Sequence, residues 1–131
     1  MVVPRELSEF FARHANLFWD GAFEELAESH YRHPHAVYYE EKLVVRQSVK
    51  DTAEALRLQR DRFLRLGATE VAILGLDSSK DTSIRAVVTL DWNYRAPSKD
   101  MKNFRTIRYF MGVSPNQTRR IEMVEAVDPK A

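Results

Sequence analysis

From residue 83 to residue 94 the side chains alternate without a break. Ile84, Ala86, Val88, Leu90, Trp92 and Tyr94 fall on one side, and Ser83, Arg85, Val87, Thr89, Asp91 and Asn93 on the other. A period of two is the mark of a β-strand, here with one solidly apolar face and one mixed face. That face must be buried under another layer, so the question becomes what the rest of the chain offers as a cover.

Before Gly67 the cover is helical. Leu7, Phe10, Phe11, His14, Ala15 and Phe18 recur at steps of three and four, and Phe23, Leu26, Ala27 and His30 restart the stripe after Asp20-Gly21. This predicts helices over 5–18 and 21–30, with Pro4 suited to a first turn and Pro34 barring continuation. A short hairpin follows over 36–46, Glu40-Glu41-Lys42 at its tip. A third helix starts at Ser48, whose hydroxyl can cap it with Asp51 three residues on. It carries Ala53, Leu56, Phe63 and Leu66 inward and stops at Gly67. Beyond Gly67, segments 69–77, 83–95, 103–113 and 119–127 are strands, and their short links predict antiparallel neighbours.

At 131 residues the chain suits one domain, 1–131, and its 44% apolar content fills one core. Twenty basic against 19 acidic residues give no general field for nucleic acid or an anionic membrane. The arginines of the third helix, Arg57, Arg60, Arg62 and Arg65, alternate with Asp51, Glu54 and Asp61 as on a solvated face. Without cysteine there is no disulfide framework and no thiolate chemistry. No apolar run reaches the roughly 20 residues that span a bilayer, and Met1 to Leu7 lacks the core of a secretory signal, so the expectation is a cytoplasmic protein.

The order of helix, helix, hairpin, long helix and four long strands resembles the nuclear transport factor 2-like superfamily, SnoaL-like proteins included. The resemblance runs over about residues 6–127. It is carried by Phe18-Trp19-Asp20-Gly21-Ala22-Phe23, by Tyr31-Arg32-His33-Pro34 leading into Val37-Tyr38-Tyr39, by the Leu66-Gly67 helix end, and by Arg119-Arg120-Ile121-Glu122-Met123-Val124-Glu125. It implies an α+β cone, three helices packed on a curved, mainly antiparallel sheet. It also implies a pocket between the layers and a homodimer through the convex sheet face. It implies no particular activity, because this scaffold carries isomerases, hydrolases, cyclases and binding proteins.

Isomerase chemistry of the ketosteroid type needs a carboxylate base and two acidic donors. The resemblance places these near Tyr39, His14 and Arg108, none of which is the required type. Among strand carboxylates, Asp91 alternates away from the apolar face. Glu125 shares a face with Ile121, Met123 and Val127 and is expected to enter the cavity, whereas Glu122 keeps company with Val124 and Ala126. His33 and His35 point the same way on an extended segment, but no third ligand is fixed by spacing, and no metal or cofactor is expected. Should the cone be catalytic, His14 and Glu125 are the expected proton handlers, Arg108 the anion partner and Tyr38 a hydrogen-bond donor. Trp19, Phe23, Tyr31, Tyr38, Trp92, Tyr94 and Tyr109 are the expected lining for a small apolar or aromatic molecule. The competing reading is a non-enzymatic module for dimerisation or ligand sensing, in which those rings simply pack.

Overall fold

The computed structural model describes residues 5–79, 85–97, 100–113 and 118–127. Pro4, Ser83 and Ile84, which figure in the sequence patterns, lie outside the described residues.

Helix α1, Arg5–Asp20, buries Leu7, Phe11, His14 and Phe18, a stripe at steps of four, three and four. Gly21 ends it in the left-handed region at φ +81°, where a β-carbon would strain the backbone, and its amide donates to the Phe18 carbonyl. Helix α2, Phe23–His30, buries Leu26, Ala27 and His30. Strand β1, Tyr31–Tyr39, begins immediately, five residues earlier than the sequence pattern suggests, and it runs through Pro34. A two-residue turn of Glu40 and Glu41, both at positive φ, returns the chain as β2, Lys42–Arg46. Helix α3, Val49–Arg65, is capped as expected, with Ser48 Oγ accepting from the Asp51 amide at 3.1 Å. Thr52, Ala53 and Phe63 are its buried residues. Leu66, expected inside, is 47% exposed because the helix has ended before it.

The remaining strands are β3, Glu70–Ser79; β4, Arg85–Arg95; β5, Lys102–Val113; and β6, Arg119–Val127. They form an antiparallel meander within one six-stranded sheet of order β2-β1-β6-β5-β4-β3. The departure from the antiparallel expectation is the β1–β6 pair, which is parallel. Its connection spans α3 and the whole meander, a crossover long enough to permit parallel pairing. The apolar stripe of β4 does what its alternation requires. Ala86, Val88, Leu90 and Trp92 are all at most 4% exposed and pack with Leu7, Phe11, Phe18 and Phe63. The sheet and three helices thus make the expected α+β cone.

One irregularity controls everything that follows on β6. Met111 pairs with Ile121 and Phe110 with Met123, so Glu122 is an extra residue, a β-bulge. The bulge inverts the alternation. Ile121 is buried in the core, and beyond the bulge Val124 and Ala126 line the interior, which turns Met123 and Glu125 to the outer face.

Candidate functional site

A cavity of about 520 Å³ lies between α3 and the concave face of the sheet. From β1 it takes Tyr31, His35, Val37 and Tyr39, the i, i+2 series that a pleated strand turns one way. Ile107 and Tyr109 of β5, with Val124 and Ala126 of β6, continue the wall. The opposite wall is the α3 stripe of Asp51, Ala55, Leu58, Gln59 and Arg62. Exposed Leu58 and Val45 mark the mouth, and the buried residues His14, Phe18, Trp92 and Tyr109 mark the floor.

The floor is polar only at chosen points. His14, 1% exposed, is ringed by Phe11, His30, Tyr31, Trp92 and Tyr109 at centroid distances of 5.6–6.0 Å. Its Nε2 is 2.8 Å from the Tyr31 hydroxyl, and its Nδ1 has no hydrogen-bond partner among the described residues. Burial, helped by the repulsion of His30, pulls the imidazole down to about 3, so it is neutral at physiological pH. Burial also raises the Tyr31 phenol well above its usual value. The neighbouring Tyr109 hydroxyl accepts a hydrogen bond from Trp92 Nε1 at 2.9 Å. Its own proton has no acceptor among the described residues, which leaves Tyr109 a donor for whatever enters.

The other histidines are held in one form as well. His30 Nε2 donates to the Phe10 carbonyl at 2.9 Å, so its Nδ1 accepts from Ser29 Oγ. His35 Nδ1 donates to the Arg32 carbonyl, and burial takes this ring down to about 4. His33 and His35 do point the same way, 5.2 Å between ring centroids, but His33 Nε2 is bonded to Thr52 Oγ1 at 2.7 Å. No group of three metal-ligating side chains occurs among the described residues.

Of the residues singled out from sequence, His14, Tyr31, Trp92 and Tyr109 come together at the floor. The others do not. Glu125 and Arg108 are ion-paired to each other, Nη1 to Oε1 at 2.6 Å, on the outer face and not in the cavity. The bulge at Glu122 is the reason for Glu125; for Arg108 the reason is its place between inward Ile107 and Tyr109. Tyr38, between inward Val37 and Tyr39, is likewise turned out and 36% exposed. Trp19 lies under the Arg60 guanidinium, 5.2 Å from its ring, and its carbonyl accepts from Arg60 Nε. Phe23 packs on Phe18, and Tyr94 on Phe63. The lining residues not singled out for this purpose, Tyr39, His35, Arg46, Arg62 and Arg105, mostly follow from phase. Once Tyr31 is fixed inward, His35 and Tyr39 are too.

No protein-family model matches the chain, and no curated protein matches it in sequence. Solved structures do. A nuclear transport factor 2-like protein with a cystatin-like fold from Novosphingobium aromaticivorans superposes with a TM-score of 0.70 at 18% identity, covering 96% of this chain and 82% of that one. A nuclear transport factor 2-like superfamily protein from Salmonella enterica gives 0.67 at 12% identity, over 97% and 91%. A protein described as a putative scytalone dehydratase, from Novosphingobium aromaticivorans, gives 0.65 at 9%, over 96% and 83%. The chain therefore has the nuclear transport factor 2-like, cystatin-like fold. No helix among the described residues is long and apolar enough to cross a membrane.

Proposed function

We propose that this protein binds a small, largely apolar or aromatic molecule in the cone, with the Tyr109 hydroxyl and the His14–Tyr31 pair meeting its polar end. The observation that carries the reading is the floor itself. A buried phenol with an unclaimed proton and a buried imidazole nitrogen without a partner are costly in a dry core, and a ligand acceptor or donor would satisfy them. The cavity volume lies within the range of small-molecule pockets.

Binding is favoured over acid–base catalysis for a specific reason. A general base works best with a pKa near the operating pH, and His14 at about 3 and His35 at about 4 are weak bases. Glu125 and Arg108, which a proton-transfer scheme would need beside His14, neutralise each other on the opposite face. Dehydratase, isomerase or hydrolase activity is thus the secondary reading; the fold shared with a putative scytalone dehydratase keeps dehydration among the reactions to assay.

Ligand binding is tested with 2-naphthol, a neutral aromatic, followed through thermal shift and through the tryptophan fluorescence of a Trp19→Phe background, in which Trp92 is the remaining indole. A ligand at one hundred times its dissociation constant adds about 2.7 kcal/mol to stability. Ala55→Phe, which projects into the cavity from α3, should abolish the shift while the variant stays folded. Equal binding to both proteins would refute the cavity as the site. Homodimerisation through the outer face, where Phe110 and Met123 are cross-strand neighbours, and cytoplasmic residence belong to the same reading. Sedimentation of the intact chain tests the first and cell fractionation the second.

A further inference from the structure

We infer that the ligand of this cavity is an anion, a planar aromatic carboxylate whose acid group is held where Arg62 and Arg105 approach one another. The inference rests on the binding role proposed above and adds the chemical class of the ligand.

Both arginines line the cavity, Arg62 from α3 and Arg105 from β5. Their sequence neighbours Phe63 and Phe104 touch, ring centroids 4.4 Å apart and tilted by 45°, which brings the two residues to the same end of the cavity. Neither guanidinium has an ion pair or a hydrogen-bond acceptor among the described residues. Arg5, Arg13, Arg32, Arg57, Arg95 and Arg108 each meet a carboxylate, whereas Arg60 and Arg120 bond backbone carbonyls. What distinguishes Arg62 and Arg105 is that they line the cavity without such a partner among the described residues.

The acidic residues of the lining do not answer for these two cations. Asp51 is eleven residues before Arg62 on the same helix, about 16 Å along its axis. Glu54 is about 12 Å away by the same rise and is held by Arg57. The third cation of the lining, Arg46, stands opposite His35 across the β1–β2 pair, close in sequence to Asp51, so the charges at that end are mixed. Among the described lining residues, the Arg62–Arg105 end carries no carboxylate. Arg62 is exposed and Arg105 half-buried, so solvent screens the two cations when the cavity is open, and their fork geometry matches a carboxylate in two-point contact.

The distance across the site sets the size of the body. Four residue steps along the strand separate Arg105 from Tyr109, about 13 Å. Val124, Ala126 and Ile107 line the stretch between, a smooth apolar wall suited to two or three fused rings, and the Tyr109 hydroxyl waits at the far end for an acceptor.

The test uses 6-hydroxy-2-naphthoate and its neutral carboxamide, titrated against the intact protein with calorimetry at low salt. The carboxylate should bind at least about tenfold more tightly than the amide, as charge-assisted bonds require. Arg105→Gln should remove about that factor for the acid and leave the amide unchanged, and Arg62→Gln, at an exposed position that folding tolerates, should act in the same direction. Equal affinity for acid and amide in the unaltered protein would overturn the anion while leaving the binding role standing. An equal loss for both ligands in Arg105→Gln would overturn it too, since Arg105 would then act by packing. Failure of both compounds to bind at all would bring down the binding role with it.

Discussion

The His14 imidazole meets the Tyr31 hydroxyl at 2.8 Å across the junction of α1 and β1, a contact between residues seventeen apart in sequence. Either ring nitrogen arrangement leaves Nδ1 with nothing to bond among the described residues, so the pair is half satisfied. This ties stability to pH. His14 has an ordinary value of 6.5 and is pulled down to about 3 when folded, and His35 is pulled down to about 4.

The sign is fixed by proton counting. Between pH 6.5 and these lowered values the unfolded chain binds more protons than the folded one, so the stability is complete above 6.5 and is lost as pH falls. Each group contributes up to about 1.4 kcal/mol per pH unit within its window. Urea midpoints measured at pH 7.5, 6.5 and 5.5 should therefore change little over the first step and fall clearly over the second, before most carboxylates begin to titrate. His35→Asn, which keeps a side-chain donor for the Arg32 carbonyl, should flatten part of that slope. A midpoint independent of pH over this range would contradict the buried, neutral state of both rings.

The outer ion pair should matter little to the cavity. Arg108 and Glu125 are directly opposed on β5 and β6, with side chains 39% and 29% exposed. Solvent screening holds such a pair to at most about 1 kcal/mol. Glu125→Gln should shift the urea midpoint by no more than that and leave 2-naphthol affinity unaltered. A marked loss of binding would mean that the outer face communicates with the floor.

How far the site could be read in advance depended on phase. The β4 stripe runs from Ala86 to Trp92 inward as its alternation dictates, and the helix stripe of α1 put His14 inside. Position along β6 was not legible, because a bulge leaves no mark in the hydrophobic pattern. Nothing in Ile121-Glu122-Met123 announces that Glu122 is unpaired, yet that one residue moves Glu125 from the cavity to the outside. The parallel β1–β6 pair was hidden for a related reason: periodicity describes one strand's faces and says nothing of its neighbour. Arg62 looked like part of a solvated face because its mates Arg57 and Asp61 are one; only the packing of Phe63 on Phe104 shows that it borders the cavity.

The β1–β2 turn stores removable strain. Glu40 and Glu41 adopt φ of +50° and +62°, the left-handed region that a two-residue hairpin turn demands and that Asn-Gly fills far better. Like charges side by side add to the cost. Replacing the pair by Asn-Gly should stabilise the protein by about 1 kcal/mol, seen as a higher urea midpoint at unchanged slope. A lower midpoint would mean that the two carboxylates make contacts on which the hairpin relies.

Removing the Tyr109 hydroxyl separates the structural part of the floor from the binding part. In Tyr109→Phe the Trp92 Nε1–H, 4% exposed as a residue, loses its acceptor and stays buried without one. Leaving such a donor unpaired costs about 1–3 kcal/mol, so the variant should unfold at lower urea yet remain folded in its absence. Trp92 emission should also change, since its indole no longer shares a proton with the phenol oxygen. A ligand whose polar end docks on Tyr109 should bind Tyr109→Phe about tenfold more weakly, the worth of one buried hydrogen bond. Ala55→Phe separates the two effects from the other side: it should block the same ligand while leaving the Trp92–Tyr109 bond intact. If Tyr109→Phe lost stability but bound 6-hydroxy-2-naphthoate at full strength, the phenol would be a strut for Trp92 and the polar end of the ligand would have to lie against His14.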